Sequence, residues 1–260
     1  RINLYATMEK YNMKWLLSRY ESGEVLKFIY FWGHSNNEQE KIGRFSFSQW
    51  FESSFVIEDQ EYKSAEHWMM AQKALLFNDK ITFQKIIDCK KPAEAKALGR
   101  QILGYDDIIW NEHKFDIVKI GNIHKFNQHK DLAEYLIKTS PRILVEASPV
   151  DEIWGIGMAQ DNPDIDNIHL WTGQNLLGFA LMEVRDFLKD FGLFAPLQNE
   201  TQPPWNVFPN VDPVDMFWRM GKGDAYLSNF VQYFNSLSLK EKTIYKLNHP
   251  PPINWKQFYL

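Results

Sequence analysis

The sequence predicts a predominantly helical fold with a few short β-segments. Apolar residues recur at helical spacing through most of the first 191 positions, and the β-prone runs between them are short and isolated. A third observation sets the end of this region: from roughly Gly192 the chain turns to proline clusters and aromatic runs.

Residues 8–22 read as an amphipathic helix ending near Gly23. The run K-F-I-Y-F-W from Lys27 to Trp32 is aromatic and β-prone, a strand leading into Gly33-His34. Residues 44–55 hold Phe45, Phe47, Trp50 and Phe51, and Phe55-Val56-Ile57 forms a second short strand. Asp59 and Gln60 suggest a turn, and Ser64 is placed to cap the helix that carries Glu66. A further helix covers Lys80 to Cys89, and Pro92 suits the first turn of the next, which runs to Gly99-Arg100. Residues 112–138 are read as one helix with Phe115, Val118, Ile123 and Phe126 inward, stopped by Pro141. Ile143 to Ala147 is a short β-prone segment with Glu146 inside an apolar run. A polar loop rich in Gly, Pro, Asp and Asn follows from Ser148 to Asn175, and a last long helix spans about Leu176 to Phe191. Beyond it, Ser238-Leu239-Lys240-Glu241 is a capping-box pattern, and Trp205, Phe208, Phe217, Trp218, Tyr226 and Phe230 are too apolar for a free tail. The division expected is an N-terminal helical segment (1–27), a main domain (28–191) and an extension packed on it (192–260).

Composition narrows the function. Forty-five per cent hydrophobic residues with 15% aromatics argue for a folded globule. No apolar run approaches the roughly 18 residues of a spanning helix, and no basic stretch followed by an apolar signal core opens the chain. The single cysteine, Cys89, allows no internal disulfide and fits a reducing, cytoplasmic compartment. It also removes zinc deaminases of the P-C-x-x-C type, zinc ribbons and iron–sulfur sites. The seven histidines form no H-E-x-x-H pair, no P-loop is present, and W-G-I-G at 154–157 lacks the third glycine of a dinucleotide fingerprint. A mechanism without metal or cofactor is therefore expected, with no membrane partner. The formal net charge of −4 gives no overall attraction to nucleic acid, but it is unevenly spread. Residues 63–100 hold eight Lys or Arg against four acids; residues 145–170 hold six acids and no Lys or Arg. A basic lip facing an acidic pocket suits a phosphate-bearing ligand that reacts at a sugar carbon.

The most informative stretch is Y-K-S-A-E-H-W-M-M-A-Q-K-A-L-L-F, residues 62–77. Glu66 and Lys73 are seven residues apart, with Met69, Met70 and Phe77 on or beside the same helical face. Apolar stripes point inward and take the two charges with them. Burying a charge costs several kcal/mol unless it is paired, and chains accept that cost chiefly where chemistry is done.

Three further segments place polar groups in apolar settings: K-F-N-Q-H (125–129), L-V-E-A-S-P-V-D-E-I-W-G-I-G (144–157) and W-T-G-Q-N-L-L-G (171–178). In this order and spacing, together with F-W-G-H (31–34), S-A-E-H (64–67) and K-A-L-G-R (96–100), they resemble the NADAR family, also called YbiA-like. The resemblance covers about Phe28 to Leu188 and leaves the extension outside it. It implies a compact α+β domain, predominantly helical, that hydrolyses the N-glycosidic bond between a ribose and a nitrogenous base. Substrates in such a family include ribosylamino-pyrimidine intermediates of riboflavin synthesis and ADP-ribose attached to guanine, so the partner implied is a ribosylated or ADP-ribosylated base, free or in nucleic acid.

The residues support such a reaction in their own right. Departure of the base leaves an oxocarbenium-like carbon that a carboxylate stabilises, for which Glu66, Glu146 and Asp151 are the candidates. A carboxylic acid with a raised pKa suits protonation of the leaving base. A lysine in an apolar pocket loses its proton more readily, attacks the anomeric carbon and leaves a Schiff base on ring opening. The resemblance also points to such a lysine; Lys73 is the first choice and Lys125 the second, with an exposed place on a basic helix as the alternative for Lys125. For Glu146 the alternative is a buried ion pair with an arginine. Trp110 and Trp154 are candidates to stack on the base, and Gly155 and Gly157 allow backbone to approach a ligand. Asn175 either addresses a ribose or phosphate or caps its helix. Arg44 and Arg100 are candidate phosphate clamps.

The leading reading is thus an N-glycosidase. A binding module that holds ADP-ribose without turnover, and an interaction protein working through its aromatic extension, are the alternatives. Lys73 with the inward acids favours the enzyme, since a pure binder has no need of a nucleophile.

Overall fold

A computed structural model describes residues 9–33 and 42–259; the expectations that fall on Met8 and on His34 lie outside them. By their internal contacts the described residues divide into two units, one made of Ile57–Gln60 with those from Phe194 onward, the other of the remaining described residues.

In the larger unit the first helix, α1 (Met13–Glu21), is shorter than the expected 8–22. The Asn12 side chain accepts from the Trp15 N–H at 2.8 Å and so fixes the start. Strand β1 (Phe28–Phe31) is followed by a 3-10 turn, Arg44–Phe47, and by β2 (Phe55–Ile57) and β3 (Gln60–Tyr62), which form a two-stranded sheet. The turn between β2 and β3 falls on Glu58 and Asp59, both at positive φ, one residue earlier than expected. Helix α2 (Ala65–Leu76) is capped by Ser64, whose hydroxyl accepts from the His67 N–H and contacts His67 Nδ1 at 2.8 Å. Helices α3 (Lys80–Asp88) and α4 (Pro92–Gly99) follow as the sequence predicts, and α2 packs on both.

The helix expected over 112–138 is two helices, α5 (Asp107–Gln128) and α6 (Lys130–Lys138), broken at His129. Side-chain hydrogen bonds explain the break. The Gln128 amide pairs with both the N–H and the carbonyl of Val56, at 2.9 and 2.8 Å, and His129 Nε2 lies 2.8 Å from the Ser54 carbonyl. Two adjacent residues anchored to one extended segment leave the helical path, a demand the apolar spacing does not record.

Strand β4 (Ile143–Glu146) pairs in parallel with β1, Phe28 opposite Ile143 and Phe31 opposite Glu146, so Glu146 ends the ladder. Helix α7 (Leu176–Phe191) packs on β4, α5 and α6. Gly178 makes the approach to β4 possible, because a Cβ there would lie 2.1 Å from the Leu144 carbonyl oxygen. The core between these layers holds Leu16, Phe31, Phe47, Trp68, Phe126 and Phe179, each essentially inaccessible to water.

The smaller unit comprises α8 (Pro204–Val207), α9 (Gly221–Ser236), α10 (Leu239–Asn248) and two 3-10 segments. Its core is aromatic: Trp205, Trp218, Phe230, Tyr245, Trp255 and Tyr259 are all buried. The Ser238–Glu241 capping box forms as expected, and His249 lies between the carboxylates of Glu58 and Glu200. Among the described residues no helix is long and apolar enough to cross a membrane.

Candidate active site

A cavity of about 600 Å³ opens in the larger unit between α2, α4, the N-terminal half of α5, the end of β4 and the loop that follows it. Helix α2 contributes Glu66, Met69, Met70 and Lys73, one stripe at i, i+3, i+4 and i+7, as the sequence predicts. Glu146, Asp151 and Trp154 come from the end of β4 and its loop, Trp110 from α5, and Arg100 from the end of α4.

Glu66 is 2% exposed at the start of α2. Burial pushes its carboxyl up to about 7; Lys96 opposes the rise, the charge on Asp151 adds to it, and a hydrogen bond from Trp50 holds one part of the carboxylate. Its Oε1 meets no protein donor. Glu146 is pushed further, to about 8, by burial first and then by the charges of Asp151 and Glu66. Its Oε2 is likewise unmet. Among the described residues no ion pair forms at Glu146, so the arginine-paired alternative does not hold here.

Lys73 is half-buried. Desolvation lowers its pKa, with Asp107 and Glu66 acting against that. Its Nζ donates to the Gly99 carbonyl at 3.0 Å and lies 4.2 Å from the centre of the Tyr105 ring and 5.4 Å from that of Trp110. Gly99 packs closely against α2 at this contact: a Cβ there would lie 2.0 Å from Met70 Sδ. The amine thus has one acceptor and two aromatic walls, contacts that hold it in place and favour its ammonium form, while desolvation disfavours that form.

Asp151 lines the cavity, but its Oδ1 is committed to the loop, accepting from the Ile153 and Trp154 N–H groups at 2.9 and 2.7 Å. Four expected site residues lie elsewhere. Lys125 is fully buried rather than exposed, and its Nζ donates to the carbonyls of Ser46 and Ser48 at 2.7 and 3.0 Å. Arg44 is exposed and donates to the Tyr30 carbonyl at 3.2 Å, away from the cavity. Gly155 is buried in the loop, where a Cβ would lie 2.9 Å from the carbonyl oxygens of Asp151 and Glu146. Asn175 neither lines the cavity nor caps α7 with its side chain. It sits in the left-handed region and its amide accepts from the Glu146 N–H at 3.0 Å and donates to the Leu144 carbonyl at 2.9 Å, which fixes the end of β4. Among the described residues no cluster of three or more His, Cys, Asp or Glu is arranged to hold a metal ion.

A sequence profile described as the NADAR domain matches residues 30–189. The chain belongs to the NADAR family. N-glycosidase R617 of Acanthamoeba polyphaga mimivirus is 45% identical over 169 residues, covering 63% of this chain and 97% of that protein. N-glycosidase Npun_R5314 of Nostoc punctiforme is 32% identical over 144 residues, 55% of this chain and 85% of its own. The solution structure of Escherichia coli YbiA aligns with a TM-score of 0.52 at 25% identity, covering 67% of this chain and 92% of YbiA.

This NADAR domain also lines its cavity with residues that the sequence reading did not single out: Ser48, Gln49, Trp50 and Lys96. Lys96 lies inside K-A-L-G-R, quoted above only as a motif. Trp50 and Gln49 lie in the aromatic 44–55 segment, whose hydrophobic content points to packing. The signal present was a polar pair, Ser48-Gln49, set between Phe47 and Trp50.

Proposed function

We propose that this NADAR-family chain hydrolyses the N-glycosyl bond between a ribose and a nitrogenous base, with ADP-ribose on guanine as its substrate. One observation carries the reading: a single cavity holds two carboxyls whose ionised form is disfavoured by burial, Glu66 and Glu146, beside an amine, Lys73, whose protonated form is disfavoured too. The relatives named as N-glycosidases support the bond that is broken. Lys96 and Arg100 at the rim suit a diphosphate, and Trp110 and Trp154 suit a planar base.

In this mechanism Glu146, the acid with the higher pKa, gives its proton to the base nitrogen as the C1–N bond breaks and the bonding pair leaves with the base. Ionised Glu66 stabilises the cationic C1. The Lys73 lone pair forms a bond to C1. One ammonium proton then passes to the ring oxygen as the C1–O bond opens, leaving a protonated Schiff base. Water adds to C1 and releases the sugar, and the Lys73 ammonium returns a proton to Glu146. Asp151 holds the loop and sustains the negative field that keeps Glu146 protonated.

The test is incubation of the wild type and Lys73→Ala with an oligonucleotide carrying ADP-ribosyl-guanine, with unmodified guanine measured by mass spectrometry. Restoration by the wild type alone, with the variant shown to be folded, supports the reading. No restoration by the wild type rejects ADP-ribosyl-guanine as substrate, and the same assay with a ribosylamino-pyrimidine phosphate then decides whether the glycosidase reading survives.

A further inference from the structure

Gln49 lines the cavity and is 7% exposed, yet its amide nitrogen meets no protein acceptor. Such a donor costs stability unless a ligand meets it. Its orientation is fixed by a chain of contacts that starts in helix backbone. The Val118 carbonyl accepts from Asn122 Nδ2 at 2.9 Å, and a carbonyl can only accept, so Asn122 must turn its nitrogen that way. The same Nδ2 donates its second hydrogen to Gln49 Oε1 at 2.8 Å. Gln49 must therefore spend its oxygen on Asn122 and turn its nitrogen away from it. Turning both amides over would set Asn122 Oδ1 against the Val118 oxygen, two acceptors face to face. The Gln49 main chain is fixed as well, since its carbonyl accepts from the Glu66 N–H at 3.0 Å. Asn122 is fully buried on α5 and does not line the cavity, so its role is to hold Gln49.

We infer that Gln49 presents its amide N–H₂ to a neutral hydrogen-bond acceptor of the ribosylated base, a hydroxyl or carbonyl oxygen or a ring nitrogen, and that Asn122 is the positioning residue that fixes this donor. The identity of the ligand rests on the glycosidase reading; the orientation of the donor does not. A built-in donor selects for substrates with an acceptor at that place and rejects those that offer a donor there, because two N–H groups would then meet. Gln49 touches the substrate in this arrangement, but it exchanges no proton, so it acts on binding and leaves the acid–base steps alone.

The experiment compares the wild type with Gln49→Met, which keeps length and loses the donor, and with Asn122→Met, which frees Gln49 to turn. KM, kcat and their pH dependence are measured with the ADP-ribosyl-guanine oligonucleotide and the ribosylamino-pyrimidine phosphate. Dissociation constants for ADP-ribose and for guanine are measured calorimetrically in parallel, and melting temperatures establish that each variant is folded. Gln49→Met is expected to raise KM and the matching Kd by roughly tenfold, the scale of one hydrogen bond, with the pH profile unmoved. Asn122→Met is expected to move the same quantities in the same direction by less. Weaker binding of ADP-ribose assigns the acceptor to the sugar; weaker binding of guanine assigns it to the base. A wild type that binds ADP-ribose without releasing base rejects the glycosidase reading, while the comparison of Kd values still judges Gln49. Folded Gln49→Met with wild-type KM and Kd overturns the inference, as does a change confined to kcat with shifted pH limbs. A wild type that binds and turns over none of these compounds overturns it as well, since the donor then has no such acceptor to meet.

Discussion

Glu146, at the end of β4, shares one cavity with Glu66 on α2, and the charge on Glu66 helps to hold Glu146 at the higher pKa of the two. Two acids close enough to feel each other titrate as a pair, and the pair offers one protonated and one ionised group over a band of pH. Here that band lies between about 7 and about 8.

The first prediction follows from that band. Base release is expected to peak between roughly pH 7 and 8, falling on the acid side as Glu66 takes up a proton and on the alkaline side as Glu146 loses its own. Glu146→Gln is expected to lower kcat by about 10²–10⁴-fold, the usual worth of a general acid, and to remove the alkaline limb. Glu66→Gln lowers kcat and removes the acid limb contributed by that carboxylate. A wild-type profile that is flat from pH 6 to 9 would sink the assignment.

The second prediction concerns the amine. Borohydride added during turnover should reduce the Schiff base and leave the sugar attached at Lys73, read as a mass increase on the peptide that contains it. Lys73→Arg should show no adduct and no release of base, because a guanidinium stays protonated and is no nucleophile. An adduct on Lys125 instead would move the nucleophile to a group that now donates to the Ser46 and Ser48 carbonyls away from the cavity.

The stripe on α2 was legible from sequence because helical periodicity is local: Glu66, Met69, Met70 and Lys73 recur at i, i+3, i+4 and i+7 and do reach one cavity. Glu146 was legible as an acid in an apolar run. Asn175 does stand at the N-cap position of α7, as one of its two alternatives has it, but its side chain serves β4, a contact 29 residues away in sequence that no local pattern records. The break at His129 escaped for the same kind of reason, since Gln128 and His129 answer to Val56 and Ser54 rather than to their own helix. Gln49 was hidden by composition, a polar residue among phenylalanines whose meaning depends on Asn122.

The third prediction tests how Lys73 is held. In Gly99→Ala the new Cβ runs into Met70 Sδ, so α4 or the Met70 side chain has to shift. Overpacking of this kind costs about 1–3 kcal/mol, and a fall in melting temperature is expected. Where α4 is the part that yields, the Gly99 carbonyl moves with it and Lys73 loses its fixed acceptor. Activity should therefore fall further than the loss of folded protein accounts for. Wild-type kcat in folded Gly99→Ala would show that this contact is dispensable.

The fourth prediction separates the buried lysine from the buried acids by the sign of their pH dependence. Burial lowers Lys125 to about 7, below its value in the unfolded chain, so between about pH 7 and 10 the unfolded state binds more protons and stability from this group rises with pH. Glu66 and Glu146 lie above their unfolded values, so their contribution is present below about pH 4.5 and is lost as pH rises to about 8. Denaturant unfolding across pH 5 to 10 should therefore show wild-type stability falling first and recovering later. Lys125→Met should remove the alkaline recovery, and Glu66→Gln with Glu146→Gln should remove the earlier fall. The lysine variant also strands the Ser46 and Ser48 carbonyls, so it is expected to be less stable than the wild type at pH 9, where the wild-type amine is neutral and still donates. Identical pH slopes for the wild type and Lys125→Met would place that amine in contact with water, against its complete burial.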